Sequence, residues 1–409
     1  MDIDSVIPSA QNPRRAMTIL VLAHVFPRTR DDTLGAFLLH LYDALAARGI
    51  AINVLAPHAE NLREADAFGA VRVRRFHYAP ARFERLAYRG TMHELVARGI
   101  GNKILFAIFC AAFFFSALRA ARATILHAHW WFPDGFIGAL VSYLTRAPLV
   151  ITTHGTDVEI LRRHAWAKFL ARFAFARARA ITCGSNYLRA QLIELQVADA
   201  ARVRVVPMPV APAFLNFELP ADHARSPRKI LTVARLTKQK NIETLLEAMI
   251  PLQRILRAEL RIIGDGPERA ALEKFARARN LTNVEFLGAV PQKDLPRYYA
   301  ECAVFVLPSI REGMGLVLAE ALLCGAPVIA VNSGGVTDIA QENETGLLVP
   351  ERDVRALVDA ICRIFADPAL AARLAHNGAA RVRERFSSAR VAEIFHEIFS
   401  SVHRSSSTV

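Results

Sequence analysis

The sequence predicts an α/β protein made of two parallel-sheet domains. Three observations carry this. The chain has 409 residues, 53% of them hydrophobic, which is long for one domain and comfortable for two with separate cores. Short apolar runs of strand length alternate with longer helical patterns, and several runs end in glycine-bearing loops. A polar stretch with a proline, residues 221–228, interrupts the pattern, which then starts afresh.

Residues 1–16, with Asp2, Asp4, Pro8 and Pro13, read as a flexible tail. The apolar run 17–26 follows Arg14 and Arg15 and superficially resembles a signal peptide. It is short, with no convincing cleavage site after it, so it reads as the first buried strand. A loop at 27–35, a helix at 37–48 and a strand at 50–56 follow. Gly35 either lets a diphosphate approach the helix start or simply makes the turn. A strand at 71–75 precedes a long helical region at 91–122. Its centre, 104–118, is strongly apolar and is bracketed by Lys103, Arg119 and Arg122. That run is shorter than the roughly 18 residues a membrane span needs. The first expectation is a core helix packed on the sheet; the second is a helix partly facing lipid.

A strand at 125–128 leads into His129, and a helix is expected from Asp134. A strand at 149–153 runs into His154, Gly155, Thr156 and Asp157. Strand ends in such sheets face the ligand crevice, so His129 and His154 are placed either to meet substrate or to serve the structure. Residues 157–179 read as one helix with Trp166, Phe169, Leu170 and Phe173 on one face. Arg162 and Arg163 are expected to rim that face, and Lys168 and Arg172 to point away. A strand at 180–183, a helix capped by Ser185 and a strand at 203–206 complete the first domain.

The second domain alternates in the same way: strands at 229–233, 259–263, 284–287 and 304–307, helices at 241–256, 268–277 and 295–301. Arg235 and Lys240 lie just past its first strand. Two cations there can neutralise a diphosphate, or they are solvated surface charge. After the strand at 304–307, a loop carries Glu312, Gly313 and Gly315, and a helix spans 316–323. Glu320 lies inside that helix, seven residues beyond Glu312. The free N–H groups at its start favour a diphosphate. Carboxylates do not bind phosphate but accept hydrogen bonds from sugar and ribose hydroxyls. The stretch suits a nucleotide sugar; two solvated glutamates on an ordinary loop and helix are the alternative. Another strand begins at Pro327, and helices run from Asp353 to the end.

The five cysteines are scattered singly and read as reduced core residues of a cytoplasmic protein. No His, Cys or carboxylate set has metal spacing, so no bound metal and no cofactor is expected. The formal net charge is +13, of which +10 falls in residues 1–225. No recognised nucleic-acid motif accompanies it, so nucleic acid is not an expected partner.

The stretch from Pro308 to Val331, with Glu312 and Glu320, resembles the E-x7-E signature of family 4 retaining glycosyltransferases, which have the GT-B fold. The glycines of Ser333–Gly335 and the run Thr345–Val349 match as well, with Met314 where Phe is common and Asp338 where Glu is usual. Residues 154–157 resemble the family's H-G-x-D motif, and 234–241 its GRLxxxKN motif with Ala234 replacing Gly. The resemblance implies two Rossmann-like domains facing each other across a cleft. Residues 17–222 would hold the acceptor and 223–385 the nucleotide sugar, with a final helix, 386–409, crossing back to the first domain. It implies front-face transfer in which the leaving phosphate helps to take the acceptor's proton. Arg235 and Lys240 would stabilise the diphosphate, and Glu312 would hold sugar hydroxyls. Glu320 would hold the ribose, Val290 would lie beside the base, and His154 would bind the sugar. Gly313, Met314, Gly315 and Leu316 would present backbone to the donor, with Gly35, His129 and Asp157 as further substrate-binding positions. A GT-B epimerase and a non-catalytic nucleotide-sugar-binding partner of a polysaccharide assembly complex are the rival readings. The basic first half points to an enzyme visiting the anionic inner face of the cytoplasmic membrane to glycosylate a lipid-linked glycan.

Overall fold

The structure, a computed structural model, describes residues 17–89, 92–121, 125–219 and 225–406. The expected tail, half of the expected linker (residues 221–224) and the last three residues lie outside these. In chain order the first domain contains β1 (Thr18–Leu22), α1 (Ala36–Ala46), β2 (Ala51–Pro57), β3 (Ala65–Phe68), β4 (Val71–Phe76), α2 (Met92–Ala97), α3 (Ile100–Ala120), β5 (Ile125–His129), α4 (Phe136–Thr145), β6 (Leu149–Thr153), α5 (Thr156–Arg163), α6 (Ala165–Arg177), β7 (Ala180–Cys183), α7 (Asn186–Glu194) and β8 (Val203–Val205). The short α8 (Pro212–Leu215) follows; its Phe214 is buried in the second domain's core, so the chain leaves the first domain earlier than the expected boundary at 222. The second contains β9 (Lys229–Val233), α9 (Ile242–Leu256), β10 (Glu259–Ile263), α10 (Arg269–Ala278), β11 (Val284–Gly288), α11 (Leu295–Glu301), β12 (Val304–Leu307), α12 (Leu316–Leu323), β13 (Val328–Val331), β14 (Leu347–Val349), α13 (Val354–Ala366) and α14 (Pro368–Phe386), before α15 (Ser388–Ser406).

The first sheet has the order β3-β4-β2-β1-β5-β6-β7-β8, and the second β11-β10-β9-β12-β13-β14. Every described pairing is parallel except β3 with β4. Parallel strands buried on both faces read as continuous apolar runs, which is why the sheet pattern shows in the sequence. The antiparallel edge strand β3, with one buried residue, has no such run and gives no sequence signal. Strand order reverses between β1 and β5, and between β9 and β12. Ligand crevices in open α/β sheets lie outside the strand ends at such switch points.

Each sheet has helices on both faces. One face of the first sheet is covered by α1 and by α15, whose Val391, Phe395 and Phe399 are buried in that domain's core. The last helix therefore belongs by packing to the first domain. On the other face, α3, α4 and α6 lie side by side.

Two expectations change on this face. The first makes 104–118 a core helix packed on the sheet, and α3 does pack there, but with one side only. Only Phe109, Phe113 and Ala117 of α3 are buried, while Ile104, Ile108 and Phe115 are exposed. The helix is also longer than the apolar run, 21 residues, enough to cross a membrane by length and composition alone. The second is the single helix over 157–179. It breaks at His164, whose backbone is extended (φ −133°, ψ 119°). Small residues, Ala167, Ala171 and Ala174, pack inward from α6, and Trp166 and Phe169 face out, 53% and 74% exposed. Arg162 does not rim the aromatic face; it reaches Tyr187 and Gln191 on α7, and Arg163 pairs with Glu159.

All five cysteines are free thiols, three of them fully buried. Phe395→Ala would remove a ring that lies 5.4 Å from His127 and 5.7 Å from Phe399. The expected cost is about 3–5 kcal/mol of stability, read as a lower urea midpoint for the first domain's transition.

Candidate active site

Neighbouring strands bring their following loops together. Because β9 pairs with β12, the loop after β9 meets the loop after β12. Ile310 N donates to Gln239 O at 2.9 Å, and the Asn241 side chain donates to Pro308 O at 3.3 Å. This lock sets Lys240 Nζ 2.5 Å from Glu312 Oε2, both side chains under one-fifth exposed. Arg235 is exposed nearby and has no side-chain partner among the described residues. The loop after β13 closes the other side: Gly335 N donates to Glu312 O at 2.7 Å. A Cβ on Gly334 would fall 2.3 Å from Glu312 O, so only glycine fits there.

Gly315 is left-handed (φ 84°) and starts α12. Leu316 is the first helical residue, so the free N–H groups of that turn open at the strand ends. Glu320 lies on the inward side of α12. It is 7% exposed, and Tyr299 Oη donates to it at 3.1 Å and Gln292 Nε2 at 3.4 Å. Burial pushes its carboxyl up to about 7, with the two donors acting the other way. Val290 is half-buried two residues before Gln292, which ties its loop to the same carboxylate.

In the first domain, His24, His129 and His154 stand at the ends of β1, β5 and β6, around the switch point. His129 Nδ1 and His154 Nε2 are 2.9 Å apart. His154 is partly exposed, packed against Trp130 and Phe37 with ring centroids at 4.4 and 5.3 Å. Burial lowers its imidazole to about 3, so the ring is neutral. Asp157 is 2% exposed. Its carboxylate accepts from the backbone N–H groups of His154, Gly155, Val158 and Trp131 at 2.9–3.1 Å. That carboxylate is occupied in shaping the loop. Gly35 is left-handed (φ 75°) at the start of α1.

The two domains meet at these loops. Ser185 Oγ donates to Gly313 O at 2.6 Å, and Asn186 donates twice to Asp338 at 2.7 and 2.9 Å. A Cβ on Gly313 would lie 2.9 Å from His154 O. Met314 packs into the cores of both domains, its sulfur 3.4 Å from Met208 N. Gly313 and Met314 thus lie within the domain contact.

Sequence reasoning missed two features. Asp134, fully buried, accepts from His24 N at 2.6 Å and pairs with His24 Nδ1; a lone histidine after the first strand is the only trace of this. His58, His77 and Glu84 also converge, the two imidazoles meeting the two carboxylate oxygens at 2.5 and 3.1 Å. They come from the ends of β2 and β4 and a later turn, so no local spacing shows them.

With the geometry in hand, similarity to known proteins becomes specific. Residues 33–209 match the glycosyl transferase 4-like domain family, and residues 218–381 match the glycosyl transferases group 1 family. The chain belongs to the family 4-like GT-B glycosyltransferases. A putative teichuronic acid biosynthesis glycosyltransferase, TuaC of Bacillus subtilis, is 26% identical over 95% of this chain and its own full length. A D-inositol 3-phosphate glycosyltransferase of a Nocardioides species is 28% identical over 90% of this chain and 85% of its own. Among solved structures, a sucrose-phosphate synthase from Thermosynechococcus elongatus superposes with a TM-score of 0.75 at 26% identity, over 95% of this chain and all of that one.

In this glycosyltransferase the raised Glu320 has a consequence for stability. Its ordinary value is 4.5 and its folded value about 7, so the folded protein holds a proton the unfolded chain releases. This group favours folding fully below pH 4.5, and the contribution is lost as pH rises through 7. Thermal unfolding followed from pH 5 to 8 should show wild type losing Tm relative to Glu320→Gln, which lacks that titration.

Proposed function

We propose that this glycosyltransferase moves a sugar, with retention, from a nucleotide-diphosphate sugar to a hydroxyl of a lipid-linked glycan, without a metal. The observation that carries the donor half is the clustering of Arg235, Lys240 and Glu312 beside the open start of α12. Cations and helix N–H groups suit a departing diphosphate. Glu312, held by Lys240, faces the same place and suits sugar hydroxyls. Glu320, with Val290 and Gln292, suits the ribose and base end. His154 would contact the sugar from the other domain, with Gly35 and His129 behind it. The leaving phosphate takes the acceptor's proton, so no second carboxylate is needed as a base.

The acceptor half rests on the outer face of α3, α4 and α6. These helices contain no Asp or Glu, yet carry Lys103, Arg119, Lys168, Arg172 and Arg177. Ile104, Ile108, Phe115, Tyr143, Trp166 and Phe169 are exposed on them. An apolar surface with cations and no carboxylates suits an anionic lipid surface, where each basic residue contributes about 1 kcal/mol. The enzyme would then work in the cytoplasm, at the inner face of the membrane, where a lipid-linked acceptor presents its glycan.

Transfer or hydrolysis assayed in EDTA across UDP-, GDP- and ADP-sugars should find one preferred donor. Arg235→Ala and Lys240→Ala should each lower kcat about 10²–10³-fold in folded protein. Wild-type rates in the double variant would remove these cations from the reaction.

Co-sedimentation with vesicles tests the acceptor half. Binding should require anionic lipid, weaken with salt, and fall at least about fivefold in Ile108→Glu/Phe169→Glu. No binding at low salt would mean a soluble acceptor.

A further inference from the structure

A chain of buried hydrogen bonds runs from inside the first sheet to the cleft. Thr182 Oγ1 is 2.6 Å from Thr152 Oγ1, which is 2.7 Å from His127 Nε2. His127 Nδ1 is 2.7 Å from Tyr42 Oη, which is 2.5 Å from His129 Nε2. His129 Nδ1 then meets His154 Nε2 at 2.9 Å. All of these residues except His154 are fully buried. Both ring nitrogens of His127 and of His129 meet partners, which fixes the ring orientations. Burial lowers all three imidazoles, His127 and His154 to about 3, so each carries one proton.

With one proton on each hydroxyl and each ring, two arrangements connect every link. In the first, Thr182 donates to Thr152, Thr152 to His127, His127 Nδ1–H to Tyr42, Tyr42 to His129, and His129 Nδ1–H to His154. In the second, every proton points the other way, and Thr152 donates to Thr182. Thr182 then has a buried hydroxyl proton with no acceptor, since Thr152 is its oxygen's only partner among the described residues. A buried donor without an acceptor is costly, whereas the first arrangement leaves none.

We propose that this chain fixes His154 as the Nδ1–H tautomer, so that it offers the cleft a hydrogen-bond donor and no base. Tyr42, His127, Thr152 and Thr182 are positioning residues for it. The consequence rests on the transfer reading above. His154 can donate to an oxygen of the sugar or phosphate in the transition state, and the acceptor's proton must go to the leaving phosphate.

The test is the two-bond proton–nitrogen correlation spectrum of the full chain labelled with nitrogen-15 in histidine, with signals assigned by His127→Gln, His129→Gln and His154→Gln. The first arrangement requires Nδ1–H in all three rings, and an Nε2–H signal for His154 overturns the proposal. This readout needs no turnover, so it stands or falls separately from the transfer reading. Activity gives a second arm. The Asn amide nitrogen takes the place of Nδ1 and the Gln amide nitrogen that of Nε2. His154→Asn should therefore keep at least about tenfold more kcat than His154→Gln, with similar donor KM. Equal loss, or the reverse order, overturns the donor role. Tyr42→Phe should add a second tautomer signal for His154 and lower kcat; an unchanged spectrum and rate would remove Tyr42 from the chain.

Discussion

The structure depends on how closely two backbones approach. Gly155, in the loop after β6, and Gly313, in the loop after β12, face each other with no side chain between; a Cβ on Gly155 would sit 3.1 Å from Gly313 Cα. That contact brings the strand ends of two separate sheets together. His154 on one side and Glu312 on the other flank this contact, each next to one of the two glycines. Ser185, Asn186 and Met314 then secure the approach with hydrogen bonds and apolar packing. Cations arrive from one sheet and neutral imidazoles from the other.

Much of the fold was legible in the sequence because parallel strands buried on both faces must be nearly continuous in apolar residues. The runs at β1, β6, β9 and β12 all show it. What was hidden lacked that constraint. β3 is an edge strand with one buried side chain, and α6 turns three alanines and Phe175 inward and Trp166, Phe169 and Phe173 outward, against the expected aromatic inner face. Apolar periodicity reports which residues could be buried. It does not say which face the neighbouring helices leave room for.

The site was legible where its chemistry is local. Glu312, Glu320, Arg235 and Lys240 lie in two short stretches, and their residue types suit a nucleotide sugar. The first domain's contribution was less visible. His24 with Asp134, and Tyr42 with His127 and His129, are joined over separations of 85 to 110 residues. Spacing cannot reveal such pairs, because only the strand order of the sheet brings them together. Asp157 shows the converse: a carboxylate in a recognisable motif whose oxygens are taken up by backbone N–H groups.

The crossing of α15 has one more implication. The chain passes between the domains twice, before β9 and after α14. Val210 N donates to Phe386 O at 3.0 Å, so the two passages run side by side. Two domains whose chain connections lie side by side can turn about that one place without disturbing either sheet. A rotation there would have to part Gly155 from Gly313 and break the hydrogen bonds that Ser185 and Asn186 make across the domains.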